Sequence, residues 1–171
     1  WGYYVIDTDK IGHQLLTEQN VINSIIAAFG SDVYVNNVID RKALGSIIFR
    51  NKDKQQILNS IIHPLVINRV NELIAKANND LVFVDVPLLF ESGMDKDMDY
   101  VIVVTVNKET QLNRLMKRDH INIEYALAKI NMQMPLLEKE KLADFIIDNN
   151  DSAETTFIKL ENVIRRIKNE I

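Results

Sequence analysis

The residues best suited to chemistry are carboxylates that directly follow short apolar runs. Tyr3-Tyr4-Val5-Ile6 reads as a strand and runs into Asp7-Thr8-Asp9, after which Ile11, Leu15 and Leu16 take up helical spacing. In α/β domains ligands bind beyond the carboxyl ends of strands, so acids between a strand and a helix start are placed for function. Thr8 or Asp9 would also serve as a helix N-cap. One of the two aspartates can cap; the second needs another explanation. The run Leu81-Val82-Phe83-Val84-Asp85-Val86-Pro87-Leu88-Leu89-Phe90-Glu91 repeats the arrangement. Its unalternating apolar start predicts a strand buried on both faces, as in parallel sheets. Pro87, lacking an N–H, ends the ladder. Either Asp85 and Glu91 bracket the edge of a site, or Asp85 caps a turn and Glu91 is solvated. Arg114 and Arg118 stand four apart and share a helix face. The commoner use of such a pair is a solvated basic face that pairs with nearby carboxylates.

The elements that must hold these groups follow from periodicity. Residues 21–29 set Val21, Ile22, Ile25, Ile26 and Phe29 on one helix face, and Gly30 stops that helix. Val33-Tyr34-Val35 and Val38-Ile39 flank Asn36-Asn37, which predicts a hairpin with an Asn-Asn turn. Asp40 caps a helix through Ala43, Leu44, Ile47, Ile48 and Phe49. Residues 52–62 form another helix. His63-Pro64 breaks it, because the residue before proline is pushed out of the helical region, and Pro64 opens the next helix to about residue 77. Residues 9–79 are thus a mainly helical insert between two strands. Further buried strands are expected at residues 100–106 and at Phe145-Ile146-Ile147, with helices over 108–118, 123–134 and 136–143. The last helix carries Phe157, Leu160, Ile164, Ile167 and Ile171 on one face. This alternation predicts a parallel sheet with helices on both faces.

Composition narrows the function classes. With 171 residues, 47% of them hydrophobic, the chain can bury one substantial core. A net charge of −4, with acids and bases mixed, argues against a broad nucleic-acid-binding surface. The absence of cysteine excludes disulfides and thiolate metal sites. No apolar run reaches the length of a membrane span and no signal peptide is visible, so a cytoplasmic protein without membrane partners is expected. Trp1 is not an initiator, so residues upstream of it are expected. None of the five glycines forms GxxxxGK[ST] or GxGxxG.

Seven segments, in order and spacing, resemble the dephospho-coenzyme A kinase family. They are Val5-Ile6-Asp7-Thr8-Asp9-Lys10, Ile39-Asp40-Arg41-Lys42-Ala43-Leu44, Ile62-His63-Pro64-Leu65, Asp85-Val86-Pro87-Leu88-Leu89-Phe90-Glu91, Gln111-Leu112-Asn113-Arg114-Leu115-Met116-Lys117-Arg118-Asp119, Gln133-Met134-Pro135 and Ala143-Asp144-Phe145-Ile146-Ile147-Asp148-Asn149. The resemblance implies a single α/β kinase domain over residues 1–171. Its fold would be a three-layer parallel sheet of the P-loop nucleoside-monophosphate-kinase type, with residues 9–79 as a helical substrate-binding insert and 118–139 as a lid region. It implies an enzyme, active as a monomer, that uses ATP and Mg²⁺ to phosphorylate the ribose 3′-hydroxyl of dephospho-coenzyme A, the final step of coenzyme A biosynthesis.

By the same resemblance, Asp9 is the general base and a substrate contact, Arg114 is the catalytic arginine, and Arg118 binds phosphate from the lid. Asp85 matches a Walker-B-like carboxylate that holds Mg²⁺ through water, with Asp7 as its helper. Arg41 and His63 are substrate-binding residues, His63 shaping the site rather than moving protons. Asn149 lies at the nucleotide base, with a plain turn asparagine as the alternative. Two departures qualify the match. The family opens with a strand, phosphate loop and helix ahead of the strand at Tyr3, and these are absent from residues 1–171. The resemblance then implies that these residues alone do not turn over ATP, and that Val5-Ile6 and residues 82–84 expose apolar edges. Before Ala143-Asp144 the family often carries arginine; here Lys141-Leu142 stands, and Lys141 offers only a point charge. The competing readings are a P-loop kinase for another nucleotide or small metabolite, and a non-enzymatic nucleotide-binding domain.

Overall fold

The computed structural model describes residues 2–49 and 51–170; Trp1, and Ile171 of the expected last helix face, lie outside them. The chain divides into two compact units, Trp1–Leu88 and Leu89–Ile171.

In the first unit β1 (Tyr4–Asp7) runs parallel to β4 (Val82–Asp85), with Tyr4 opposite Val82 and Asp7 opposite Asp85. Between them lie α1 (Thr8–Leu15), α2 (Gln19–Phe29), a 3-10 turn (Ser31–Val33), the hairpin strands β2 (Tyr34–Val35) and β3 (Val38–Ile39), α3 (Arg41–Ile48) and α4 (Lys52–Lys76). The helical insert is therefore present. Gly30 ends α2 at φ 92°, its N–H donating to the Ile26 carbonyl. Asn36 and Asn37 both take positive φ, 51° and 64°, the left-handed pair that a two-residue primed turn demands. One Asp40 oxygen accepts the N–H groups of Lys42 and Ala43 and starts α3. Both α1 and α2 pack on α4. Ile11, Leu15, Val21, Ile22, Ile25, Val66 and Val70 make the core, with Ile25 wholly buried.

The expected break at His63-Pro64 does not occur: α4 is one helix through Pro64. Proline removes the N–H that would bond to the Ser60 carbonyl and crowds the preceding turn. Burial of Val66 and Val70 just beyond it holds the helix against that loss. Tertiary packing here outweighs a local signal.

The second unit opens with α5 (Leu89–Ser92) and a 3-10 turn (Met94–Asp97). β5 (Ile102–Thr105) then runs parallel to β6 (Phe145–Asp148), with Val103 opposite Ile146 and Val104 opposite Ile147. α6 (Lys108–Asp119), α7 (Ile123–Asn131) and α8 (Leu136–Leu142) join the strands, and α9 (Ala153–Glu170) follows β6. Val163, Ile164 and Ile167 of α9 are buried, and α9 packs on β6 while α8 packs on β5.

Three expectations need correction. The parallel strands form two ladders of two, not one continuous sheet, because among the described residues β1 bonds only to β4 and β5 only to β6. The strands are also not buried on both faces. Val5 is 58% exposed and residues 82–84 are half-buried, while Ile6 is buried. In the second ladder Val104 shares a face with Ile147 yet is exposed, and Ile146 shares one with Val103 yet is exposed. Helix cover reaches Val103 and Ile147 but leaves Val104 and Ile146 open. Finally, Phe157 is exposed rather than inward. An 18-residue helix is about 27 Å long and a four-residue strand about 13 Å, so α9 outruns the strand it covers.

Pro64→Ala restores the missing N–H on an exposed turn of α4, so it should stabilise the protein by up to about 3 kcal/mol. Urea denaturation measures this. A lower midpoint would mean that the proline fits a bend on which the core depends.

Candidate active site

The parallel register of β1 on β4 sets Asp7 and Asp85 side by side at the carboxyl ends of both strands. Opposed residues on parallel neighbours point to the same face, about 4.8 Å apart at the backbone. Asp7, not Thr8 or Asp9, caps α1. Its Oδ1 accepts the Lys10 N–H at 3.0 Å and its Oδ2 meets the Lys10 ammonium at 3.2 Å. The Lys10 backbone N–H, aided by the ammonium, holds the Asp7 carboxyl below its ordinary value. Thr8 is buried, and its Oγ1 donates to the Asp85 carbonyl at 2.8 Å, which locks the start of α1 to the end of β4. Asp9 stands exposed in the first turn of α1, and its carboxylate has no hydrogen bond or ion pair among the described residues. Asp85 is pushed above its ordinary value, first by burial and then by the charges of Asp7 and Asp9. Three carboxylates thus share one strand end, and one of them is used up in capping.

The remaining expected substrate contacts of this unit are less tightly placed. Arg41 is exposed at the first position of α3, and His63 is half-buried midway along α4. Burial lowers the His63 value, which keeps its imidazole neutral at pH 7. No hydrogen bond ties either residue to the acidic group.

The second unit fixes the cations. Asn107 caps α6 through the Thr110 N–H, and its own N–H and Nδ2 donate to Asn150 Oδ1 at 3.0 and 2.7 Å. This knot fastens α6 to the end of β6. Asn149 is used three ways: its N–H donates to the Thr105 carbonyl, its Oδ1 accepts from Thr156, and its carbonyl accepts from Arg114 Nη1 at 3.0 Å. Arg114 and Arg118, expected as a pair, part company here. Arg118 Nε donates to Asp119 Oδ1 at 2.8 Å, and Lys129 of α7 reaches Asp119 Oδ2 at 2.7 Å. The Arg118 and Lys129 hydrogen bonds hold the Asp119 carboxyl down at about 2.

Sequence reasoning missed Thr8, Asp119, Lys129 and the use made of Glu91. The one available signal was Glu91, flagged as an edge or as solvated. Its Oε1 accepts the Met134 N–H at 2.7 Å and meets Lys139 Nζ at 3.1 Å. Lys141, offered as a point charge in place of arginine, is paired with Glu138. No group of three or more acidic, histidine or cysteine side chains has metal-holding geometry among the described residues. No helix there is long and apolar enough to cross a membrane.

Asp119 contributes stability that is fully present above the ordinary carboxylate value of 3.8 and is lost as pH falls through about 2. Asp119→Asn should therefore lower the melting temperature at neutral pH, by an amount that shrinks as pH falls through about 2 and vanishes below it. A deficit that persists in acid would show that charge is not what Asp119 contributes.

Comparison with known proteins identifies the family. The family model described as CoaE, dephospho-CoA kinase, matches residues 1–155. A dephospho-CoA kinase of Fusobacterium nucleatum is 44% identical over 167 residues, which cover 97% of this chain and 86% of that one. Among solved structures, TT1252 from Thermus thermophilus superposes with a TM-score of 0.82 at 29% identity, over 97% of this chain and 85% of that one. Dephospho-CoA kinase from Campylobacter jejuni gives 0.70 at 36% identity, over 99% and 88%. The α/β fold and the parallel strands are therefore consistent with a transferase family that acts in coenzyme A synthesis, and the chain belongs to the dephospho-CoA kinase family.

Proposed function

We propose that the protein transfers the γ-phosphoryl group of ATP to the ribose 3′-hydroxyl of dephospho-coenzyme A. The hydroxyl oxygen forms the new bond to phosphorus, the bond from phosphorus to the β–γ bridging oxygen breaks, and ADP leaves. Asp9 takes the hydroxyl proton. The observation that carries this reading is the division of labour at the strand end. Asp7 is consumed in capping α1, which leaves Asp9 an exposed carboxylate with acceptor capacity and no structural duty. Proton transfer to such a group contributes about 10²–10⁴-fold.

Arg114 neutralises charge on the phosphoryl oxygens. Its anchor is a neutral carbonyl, which orients the guanidinium without cancelling its charge. Arg118 contacts phosphate from the lid region 118–139, and residues 9–79 form the substrate domain, with Arg41 and a neutral His63 shaping it. Asn149 sits at the nucleotide base and also holds Arg114. Asp85, with Asp7 beside it, suits Mg²⁺, which binds through one or two carboxylates and keeps several waters. When bound, the ion supplies positive charge to the phosphate oxygens. We place the enzyme in the cytoplasm as a monomer.

Steady-state kinetics of the full-length protein test these roles. Asp9→Asn should lower kcat by about 10²-fold or more while the dissociation constant for dephospho-coenzyme A changes little. Unchanged turnover would remove Asp9 as the base. Arg114→Lys should cost about 10²-fold, because a point charge does not reproduce the fork. Activity on a nucleoside monophosphate or shikimate but not on dephospho-coenzyme A would sink the substrate assignment.

Asp85→Asn separates stability from function. The folded value of Asp85 is raised, so its cost to stability is absent below the ordinary 3.8, appears as pH rises through the raised value, and is complete at neutral pH. The variant should thus melt no lower than wild type at neutral pH yet lose activity and Mg²⁺ dependence. A destabilised variant would overturn this account of Asp85.

A further inference from the structure

Little of the α7–α8 segment is fully buried. Ala126 is the one buried residue of α7, and α8 has none. Partial packing, such as that of α8 on β5, is joined by two carboxylates that each take two donors. At the near end Asp119 accepts from Arg118 and from Lys129 of α7. At the far end Glu91 accepts from the Met134 backbone and from Lys139 of α8.

Glu91 is the more demanding of the two. Its side chain is 23% exposed and that of Lys139 only 12%. An ammonium this enclosed needs an anion beside it. The Met134 N–H lies between the end of α7 and Pro135, which stands at the N-cap of α8 without a side-chain acceptor to offer. Glu91 is the acceptor of this N–H, which precedes the first turn of α8. It thereby joins α5 to the entry of α8, 43 residues away. The residues between the two anchors include Lys129, whose ammonium shares Asp119 with Arg118.

We infer that Glu91 is a positioning residue: it seats the α7–α8 segment and, through the Lys129–Asp119–Arg118 contacts, Arg118, which meets the triphosphate. This rests on the reading of residues 118–139 as the lid of a kinase. Glu91→Ala removes both interactions. Glu91→Gln keeps an acceptor for Met134 and drops the charge facing Lys139, so its effect is graded.

The test uses the full-length protein. Hydrogen exchange at residues 132–136 should be about tenfold faster in Glu91→Ala and less affected in Glu91→Gln. KM for ATP should rise about tenfold and threefold respectively, with KM for dephospho-coenzyme A within about twofold of wild type. If Glu91→Ala does not fold, the smaller selective rise in Glu91→Gln carries the test. Folded variants with wild-type exchange, with an unchanged KM for ATP, or with both KM values raised alike would overturn the inference, the last by showing a merely structural role. Failure of the kinase reading shows separately, as a wild-type protein inactive on dephospho-coenzyme A. ATP protection of residues 132–136 in wild type, lost in Glu91→Ala, would then still support the anchor, and no such difference would overturn it.

Discussion

The parallel register of β1 on β4 is the constraint from which the acidic end follows. It sets Asp7 opposite Asp85, so two carboxylates share one face at neighbouring backbone positions. Like charges at that spacing are unfavourable, and the structure divides the burden unequally. Asp7 receives the Lys10 N–H and ammonium and is held ionised. Asp85 receives no such help and is driven toward its neutral form. The register cannot slip to relieve this, because a buried Thr8 hydroxyl donates to the Asp85 carbonyl. A slip by one residue would also turn Ile6 out of the core. The start of α1 and the exposure of Asp9 both depend on this lock.

Carboxylates of the second unit are treated in the opposite way. Asp119 and Glu91 each take two donors, Asp144 accepts the Val101 N–H, and Asp148 accepts from Asn150. Those acids are structural, and their charge is spent on holding backbone and cations in place. Arg114 is instead oriented by a carbonyl. The pattern separates groups that build from groups that remain able to act. Where an acid has partners, it supports the fold; Asp9, beside Asp7 and Asp85, has no such partner among the described residues.

Much of this was legible in the sequence because the signals are local. The Asn36-Asn37 turn, the Asp40 cap and the Gly30 stop each rest on the conformational preferences of one or two residues, and the structure has them where spacing puts them. Pro64 shows where local reasoning fails. Its rule concerns one turn of backbone, and burial further along α4 overrides it. Strand burial was misjudged for a related reason. An apolar run reports what a strand can cover itself with, whereas its exposure depends on which helices reach it, as Val104 and Ile146 show.

The site was legible by residue type and illegible by partnership. Asp9, Asp85 and Arg114 stand out as charges at strand ends or on a helix face, positions that follow from periodicity alone. Thr8 and Glu91 do not, since their partners lie 77 and 43 residues away and no spacing rule connects them. Yet these long-range contacts set the geometry. Thr8 fixes where Asp9 stands relative to Asp85, and Glu91 fixes where α8 begins. A carboxylate whose ionised form the fold opposes, as at Asp85, adds nothing to stability at neutral pH. Within the first unit the buried Thr8 hydroxyl keeps Asp7, Asp9 and Asp85 in register, and within the second the twice-bonded Glu91 holds the entry of α8.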